Sequence, residues 1–267
     1  MNVIPLTPLD LVLAATLLLA LALFSIKMHL NLAGQIIVAG LRTTIQLLLI
    51  GFVLTSLFEH MHLGWLTAIG MIMFLVAGRE VMSRQSRRFS GLWGFSVGAV
   101  SMFISSFSIT ILTLTVIIGI DPWYDPQYAI PLLGMMLGNT MTGIALGMDR
   151  LTQTSWQQQR VIEARLMLGQ EWKEAIADIL KESIRSGLIP IVNAMAVAGL
   201  VSLPGMMTGQ ILAGSPPLEA VRYQILIMFL ISAGTGFGTI AAVWIGARRL
   251  FDDRQRLRLD RLKKCRN

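Results

Sequence analysis

Cysteine and histidine are nearly missing from this sequence, and their scarcity excludes several classes of protein. There is one cysteine, Cys265, so no disulfide framework can form within the chain. With three histidines and one cysteine, the sequence argues against a His/Cys metal cluster. The glycine-rich patterns G-x-x-x-x-G-K-[ST] and G-x-G-x-x-G, which bind nucleotide phosphates, are also missing. We therefore expect this chain itself to bind no cofactor.

Charged side chains are scarce as well, at 14% of residues, whereas soluble domains average about 25%. Hydrophobic residues make up 54%, and the mean hydropathy is +0.67. A soluble protein could not cover so much apolar side chain, so the composition predicts an integral membrane protein. The net charge of +7 is concentrated in residues 248–267, where nine Lys or Arg face three Asp. We interpret this basic tail as a cytoplasmic anchor near anionic lipid rather than as a nucleic-acid site.

Seven apolar runs are long enough to cross a bilayer, which needs about 20 residues of helix. The sequence thus predicts an all-α, multi-pass protein of the cell (inner) membrane with about seven transmembrane helices. Lys and Arg concentrate in alternate connecting segments, so the positive-inside rule places the N-terminus outside and the C-terminus in the cytoplasm. The runs lie at roughly residues 8–26, 36–57, 64–82, 92–119, 128–147, 187–213 and 220–247.

The sixth run is the least regular, because prolines interrupt the pattern. Pro204 falls within it, and Pro216 and Pro217 follow it closely. A broken helix with a re-entrant outer segment at 205–214 fits this pattern as well as one long helix does.

Aromatic residues mark the ends of several predicted spans. Trp65 and Trp123 lie at outer ends, and Trp93 and Trp244 lie toward inner ends. Tryptophan is enriched at both membrane–water interfaces, so we interpret these residues as an aromatic belt.

Residues 148–186 form the one long polar stretch between spans, and it contains no proline. Gly169 is expected to separate two helices within it. After this glycine, apolar residues recur with the spacing of an amphipathic helix. Such a helix pair indicates a docking element for a partner groove or, alternatively, a helix that lies on the membrane surface. The apolar stripe consists of Trp172, Ile176, Ile179, Leu180 and Ile184.

The residues that lead to this glycine resemble a known motif. Residues 163–169, E-A-R-L-M-L-G, match the E-A-A-x-x-x-G signature of ABC-transporter permeases, with arginine at the third position. In that superfamily, the short helix before the glycine inserts into a cleft of the ATPase subunit and couples nucleotide-driven closure to movement of the spans. We therefore assign ATPase coupling to Glu163, Ala164, Arg165, Gly169 and Trp172.

Longer strings resemble the FetB-type permease family, over about residues 30 to 250. They are G-L-V-S-L-P-G-M-M-T-G at 199–209, A-V-R-Y-Q-I at 220–225, R-T-T-I-Q-L at 42–47 and I-P-L-L-G-M-M-L-G-N at 130–139. The resemblance implies a permease that works with a separate cytoplasmic ATPase, which would bind ATP and Mg. The bacterial type is an iron exporter, and a sugar nucleotide is the proposed substrate of plant relatives.

The pattern G-M-M-x-G occurs twice, at residues 134–138 and 205–209. Small residues at this spacing let helices approach closely, and paired methionines supply mobile thioethers. One interpretation is a gate or transient cation site in the outer half of the membrane; the other is helix packing with methionine as a filler. Thioether sulfur suits Cu(I) better than Fe(II). The candidate pathway residues are Met135, Met136, Asn139, Pro204, Gly205, Met206, Met207, Arg42 and Gln46.

The sequence therefore predicts the permease subunit of an ABC transporter, a homodimer that exports Fe²⁺ from the cytoplasm. A separate ATPase would dock at residues 160–185. The alternatives are an ABC permease for a sugar nucleotide or other metabolite, and a stand-alone secondary metal carrier. A secondary carrier should have carboxylates within its spans, and an enzyme should cluster His, Asp or Glu at the membrane surface; neither pattern is present in the sequence. We divide the chain into a permease domain at 1–250, with its coupling segment at 148–186, and a basic tail at 251–267.

Overall fold

The computed structural model describes residues 7–59 and 63–264, and most of them are helical. The strands are β1, Arg87–Phe89, and β2, Leu262–Lys264; a π-helical segment, Thr113–Ile118, continues the fourth helix, and Leu259–Arg261 form a 3-10 turn. Helices α1 to α10 are Pro8–Lys27, Ala33–Glu59, Leu63–Ser83, Leu92–Leu112, Pro126–Gln157, Gln159–Met167, Trp172–Ala175, Ala177–Val197, Gly205–Leu212 and Pro217–Arg249.

Six of these helices are long and apolar enough to cross a membrane: α1, α2, α3, α4 with its π-helical extension, α5 and α10. The protein is thus an all-α, multi-pass membrane protein, as predicted. Helix α8 is not among the six, because charged residues such as Lys181, Glu182 and Arg185 occupy its first half. Seven crossings and the orientation of the chain stay predictions.

The predicted sixth run, 187–213, is broken into two helices. Helix α8 ends at Val197, and α9 begins only at Gly205. Between them Gly199 has a φ of +82°, and its N–H donates to the carbonyl of Ser202 at 2.9 Å. This turn and the following Pro204 stop the helix because they remove the regular backbone ladder. The break is the one expected from the prolines, whereas re-entry of α9 from the outside stays a prediction.

The chain divides into two compact units, and the smaller one is built from α1 and α2. Ser25 is buried on α1, and its Oγ accepts a hydrogen bond from the N–H of Leu32 at 3.3 Å, which fixes the link between the two helices. On α2, a side chain at Gly40 would overlap with Leu18. This glycine therefore allows the two helices to approach closely.

The larger unit contains α3 to α8, residues 205–211 of α9, α10 and the tail, and α5 is its centre. Helix α5 packs against α3, α4, α8 and α10. Its 32 residues span about 48 Å at ~1.5 Å per residue, more than the ~30 Å of a hydrocarbon core. The helix continues ten residues past the predicted end of the fifth span at 147, because Met148 and Leu151 extend its buried face.

Small residues bring α5, α8 and α10 into close contact. A Cβ on Gly143 would lie 3.1 Å from the backbone oxygen of Gly187 and 2.6 Å from Oγ1 of Thr239. Neither glycine can gain a side chain without separating α5 from α8. These three helices therefore form a stiff support for the polar segment that connects α5 with α8.

The basic tail folds back onto this larger unit. Strand β2 pairs antiparallel with β1, in a register that places Arg87 opposite Lys264. Phe251, Leu259 and Leu262 are buried in the main hydrophobic core. The tail is therefore a folded part of the unit, and its contact with lipid stays a prediction.

Candidate functional site

Gly169 ends α6 with a Schellman motif, in which the last carbonyls of the helix are bonded by the following amides. Its φ is +87°, and its N–H donates to the carbonyl of Leu166 at 3.0 Å. The N–H of Gln170 donates to the carbonyl of Arg165 at 3.2 Å. Glycine adopts this left-handed backbone without a Cβ penalty. The predicted helix break is confirmed, and we call α6, this turn and α7 the coupling corner (residues 159–175).

Arg165 holds the two helices of the coupling corner together. Its guanidinium donates to the carbonyl of Ala175 at 3.2 Å and to the carboxylate of Asp178, also at 3.2 Å. Arg165 thus joins α6 to α7 and to the first turn of α8. On another face of α6, Glu163 accepts a hydrogen bond from Nε2 of Gln159 at 2.8 Å.

The apolar stripe that follows Gly169 is covered by the chain's own core. Trp172 packs against Phe251, with ring centroids 5.7 Å apart, and Ile176 is fully buried. The stripe is amphipathic, as predicted, but its helix is interrupted at Ile176, between α7 and α8, and its buried residues are not free to contact a partner. Trp172 consequently supports the coupling corner from inside.

The turn at the tip of the corner presents apolar side chains outside the long apolar helices. Met167 is 82% exposed and Leu168 is 84% exposed. Ala164 is also exposed, and the turn is flanked by the exposed polar residues Gln170 and Glu171. An exposed apolar tip with a polar rim is typical of a protein interaction site.

A hairpin of the tail, Phe251–Leu257, lies beside the coupling corner. The backbone N–H of Trp172 donates to Oε1 of Gln255 at 2.9 Å. The hairpin and the corner together enclose an open groove of about 780 Å³. The groove is lined by Glu163, Leu166, Met167, Gly169, Gln170, Glu171, Asp253, Arg254, Gln255, Arg256 and Leu257.

Asp252 organises this tail hairpin. Its carboxylate accepts hydrogen bonds from the N–H of Arg256 at 2.8 Å, from Nε of Arg256 at 2.8 Å and from the N–H of Arg254 at 3.0 Å. The backbone bond from Arg256 is the main reason why the pKa of Asp252 lies below its ordinary value. The ionised carboxylate therefore stabilises the hairpin.

Helix α8 leads from the coupling corner into the helix bundle without interruption. It runs from Ala177 to Val197, and Ile179, Gly187 and Ile191 along it are buried. Helix α8 packs against both α5 and α10. Helix α8 therefore connects the turn at Ile176, directly after the corner, with the packed helix bundle.

The structure places the four predicted methionines in two different environments. Met136 is fully buried in a second apolar core, against which Met135 and Met206 also pack; we call these three residues the methionine cluster. A side chain at Gly234 of α10 would overlap with Met136. Asn139 donates from Nδ2 to the carbonyl of Met135 at 2.8 Å, so its amide nitrogen is bonded to the backbone of its own helix one turn earlier. These contacts support helix packing as the role of the cluster.

Met207 lines a separate cavity of about 580 Å³, between the end of α8, the turn before α9 and the first half of α10. Pro204 is also in its wall, whereas a Cβ added to Gly205 would meet no heavy atom within 4 Å. Sequence reasoning missed Gln224 and Met228, which face this cavity one helical turn apart on α10, and Met195 of α8. No sequence signal joins them, because they meet only through tertiary packing.

The remaining candidates, Arg42 and Gln46, belong to the smaller unit. They lie one turn apart on α2, and both are exposed. Among the residues that the structure describes, no three His, Cys, Asp or Glu side chains are grouped to hold a metal ion.

The chain is similar to a family of membrane proteins and to several known proteins. Residues 8–251 match the family described as "Uncharacterised protein family (UPF0014)". A UPF0014 membrane protein of Synechocystis sp. is 42% identical over 231 residues, which are 85% of this chain and 87% of that protein. The "Probable iron export permease protein FetB" of Escherichia coli is 34% identical over 262 residues, 96% of each chain. The UPF0014 membrane protein STAR2 of Oryza sativa subsp. japonica is 33% identical over 233 residues, 87% of this chain and 80% of STAR2. No solved structure matches the chain.

Proposed function

Because the chain belongs to the UPF0014 family, we propose that this membrane permease is the membrane-spanning subunit of an ABC transporter that exports Fe²⁺. A separate ATPase would bind ATP and Mg and dock on the coupling corner. Two copies of the permease would form a homodimer with the pathway between them. The observation that carries the proposal is an exposed apolar tip on a corner that is rigidly joined to the helix bundle.

The tip supports docking because its apolar side chains are unfavourably exposed to water, and a partner that covers them gains the free energy of their burial. Burial of a Met or Leu side chain contributes roughly 1.5–3 kcal/mol, so Met167 and Leu168 together offer a partner roughly 3–6 kcal/mol. Lipid would cover such side chains within the membrane. These two, however, lie on the polar segment between α5 and α8, beside Gln170 and Glu171.

The bonds around the corner support force transmission. Arg165 links α6 to Ala175 and Asp178, and α8 continues from there into the bundle. Closure of an ATPase around the corner would therefore move α8 as a rigid body and alternate the access of the pathway.

The name of the relative in Escherichia coli supports iron as the substrate. The described residues hold no cluster of carboxylates or imidazoles, which fits an exporter that binds its cargo weakly and releases it. A sugar nucleotide is the competing substrate and is a separate arm of the test below.

Transport in proteoliposomes tests the proposal. The chain is reconstituted with its ATPase, and ATP-dependent movement of Fe²⁺ is compared with that of Mn²⁺, Zn²⁺, Cu⁺ and a sugar nucleotide. We expect Fe²⁺ movement that stops when ATP is omitted. Movement of the sugar nucleotide alone would replace the substrate, and metal movement without ATP or ATPase would point to a secondary carrier.

A charge reversal tests the docking site. Glu163→Lys should reduce recovery of the ATPase in a pull-down about tenfold, because it places a cation at the groove and breaks the bond from Gln159. Glu219→Lys is the matched control, since Glu219 is exposed at the start of α10, outside the coupling corner and its groove, and likewise accepts a bond from a side chain of its own helix, that of Arg222. Equal recovery with both variants would overturn this assignment.

A further inference from the structure

A cavity of about 330 Å³ lies where α4 begins and α10 ends, apart from the groove of the coupling corner. Its apolar lining consists of Trp93, Trp244, Ile245 and Phe251, and its basic lining consists of Arg248, Arg249 and Arg261. Both indoles are about half exposed. We propose that this cavity binds one anionic phospholipid, with the lipid phosphate on the arginines and the glycerol and acyl region against the indoles.

The positive charge of the cavity is not neutralised by its own acids. Asp252 is bonded to Arg256 and to backbone amides, and Asp253 lies 3.6 Å from Arg248. These contacts account for both carboxylates in the lining. Within the described part of the chain, neither Arg249 nor Arg261 has a carboxylate in ion-pair range, so two cations stay available.

The two available arginines are held in place before any ligand arrives. Cζ of Arg249 lies 4.4 Å from the ring centroid of Trp93, a cation–π distance. Nη1 of Arg261 donates to the carbonyl of Arg249 at 2.7 Å and to that of Phe251 at 3.3 Å. An arginine fixed at one side of its planar fork presents its remaining N–H groups to a phosphate at little entropic cost.

The vertical arrangement favours a lipid over free phosphate. Trp244 precedes Arg249 by five residues on α10, so it lies about 7.5 Å nearer the middle of the helix at ~1.5 Å per residue. The cavity thus places indoles next to the guanidinium groups, with Trp93 beside Arg249 and Trp244 further along α10, and the phosphate and glycerol of a lipid are neighbours in the same way. Free phosphate would contact only the arginines and would leave the indoles exposed to water.

Native mass spectrometry of the full chain in detergent tests the site. Phosphatidylglycerol is titrated, and its dissociation constant is compared between the wild type and Arg249→Gln, for which we expect about a tenfold increase. Arg254→Gln is the matched control: Arg254 is an exposed arginine of the same tail outside this cavity, and its loss should leave the constant within twofold. Equal weakening by both variants would reduce the effect to diffuse charge and overturn the site.

Two further arms separate lipid from other phosphates. Trp244→Leu keeps every charge and removes a half-exposed indole, so the protein should still fold. It should bind phosphatidylglycerol more weakly than the wild type. This variant also tests the site if Arg249→Gln does not fold. Inorganic phosphate at millimolar concentration should not displace the lipid; displacement would assign the arginines to free phosphate instead. Equal binding of phosphatidylcholine and phosphatidylglycerol would also contradict the proposal, since a zwitterionic headgroup adds no net charge for the arginines to read.

Discussion

The coupling corner and the methionine cluster are held in place by different forces. At the corner, directional bonds fix the backbone: the Schellman motif at Gly169, the fork of Arg165 and the bond from Trp172 to Gln255. The cluster around Met136 is held by burial and close packing. Directional bonds specify one geometry, whereas packing tolerates exchanges that conserve volume. The same residue type should therefore behave differently in the two regions.

Truncation of one methionine in each region should give opposite results. Met136→Ala should lower the free energy of unfolding by about 2–5 kcal/mol, because it leaves a cavity in a fully buried site. Met167→Ala, at the exposed tip, should leave unfolding unchanged and reduce ATPase recovery. Denaturant unfolding in detergent and a pull-down measure the two effects. If both variants lost similar free energies of unfolding, the proposed difference between a buried and an exposed methionine would be wrong.

Replacement of one glycine by valine in each region should have different effects on protease resistance, because only Gly169 has a left-handed backbone. Gly169→Val forces a β-branched residue to a φ of +87°, which costs about 1–3 kcal/mol, and should expose the link between α6 and α7 to protease. Gly209→Val lies beside the methionines, where an added Cβ meets no atom within 4 Å. It should resist protease like the wild type. Cleavage of both variants at the same rate would show that the Schellman turn is not critical.

Leucine in place of Met206 and Met207 should have a small effect. Leucine keeps the volume and apolarity, so the loss of stability should stay below ~1.5 kcal/mol, and transport should continue. Metal flux in proteoliposomes and unfolding are measured on the same sample. If the variant unfolds like the wild type but no longer transports metal, the packing role is wrong, and the two thioethers would be assigned to a cation site.

The smallest effect should appear in acid. Since the folded pKa of Asp252 is lowered, its contribution is complete above the ordinary value of about 3.9 and is lost as the pH falls through the folded value. The protection factors of the amides in residues 252–258, taken relative to the unfolded chain at the same pH, should therefore fall below about pH 4. Asp252→Asn should remove this pH dependence, and a persistent dependence would assign it to another carboxylate.

Local signals in the sequence were sufficient for the corner and insufficient for what surrounds it. The break at Gly169 and the apolar spacing from Trp172 to Ile184 depend on neighbouring residues. The break is observed, and the spaced residues share a buried face, although a turn at Ile176 divides the predicted helix into α7 and α8. Periodicity reveals that a helix has an apolar face but does not identify what covers it. Here Phe251, some 80 residues later, covers Trp172, and we therefore propose the exposed turn at Met167 and Leu168 as the docking face.

Features that depend on distant residues could not be predicted. The pairing of Arg87 with Lys264 and the cavity between Met195 and Met228 arise only when separate helices are assembled. Charge in the tail indicated lipid in general, whereas the pocket at Trp93 and Trp244 requires the ends of α4 and α10 to meet. Composition indicates whether a surface faces water or lipid. The shape of a binding cavity on that surface depends on tertiary contacts.

The two-stranded sheet also sets an order of events during synthesis. Strand β1 leaves the ribosome about 170 residues before β2, which at about 5–20 residues per second is a delay of roughly 10 to 35 s. During this interval the edge of Arg87–Phe89 is open to other strands. When the late strand arrives, Arg88 stands opposite Lys263, and like charges in opposite positions weaken the pairing. Burial of Phe89 and Leu262, which also stand opposite each other, therefore has to hold the two strands together.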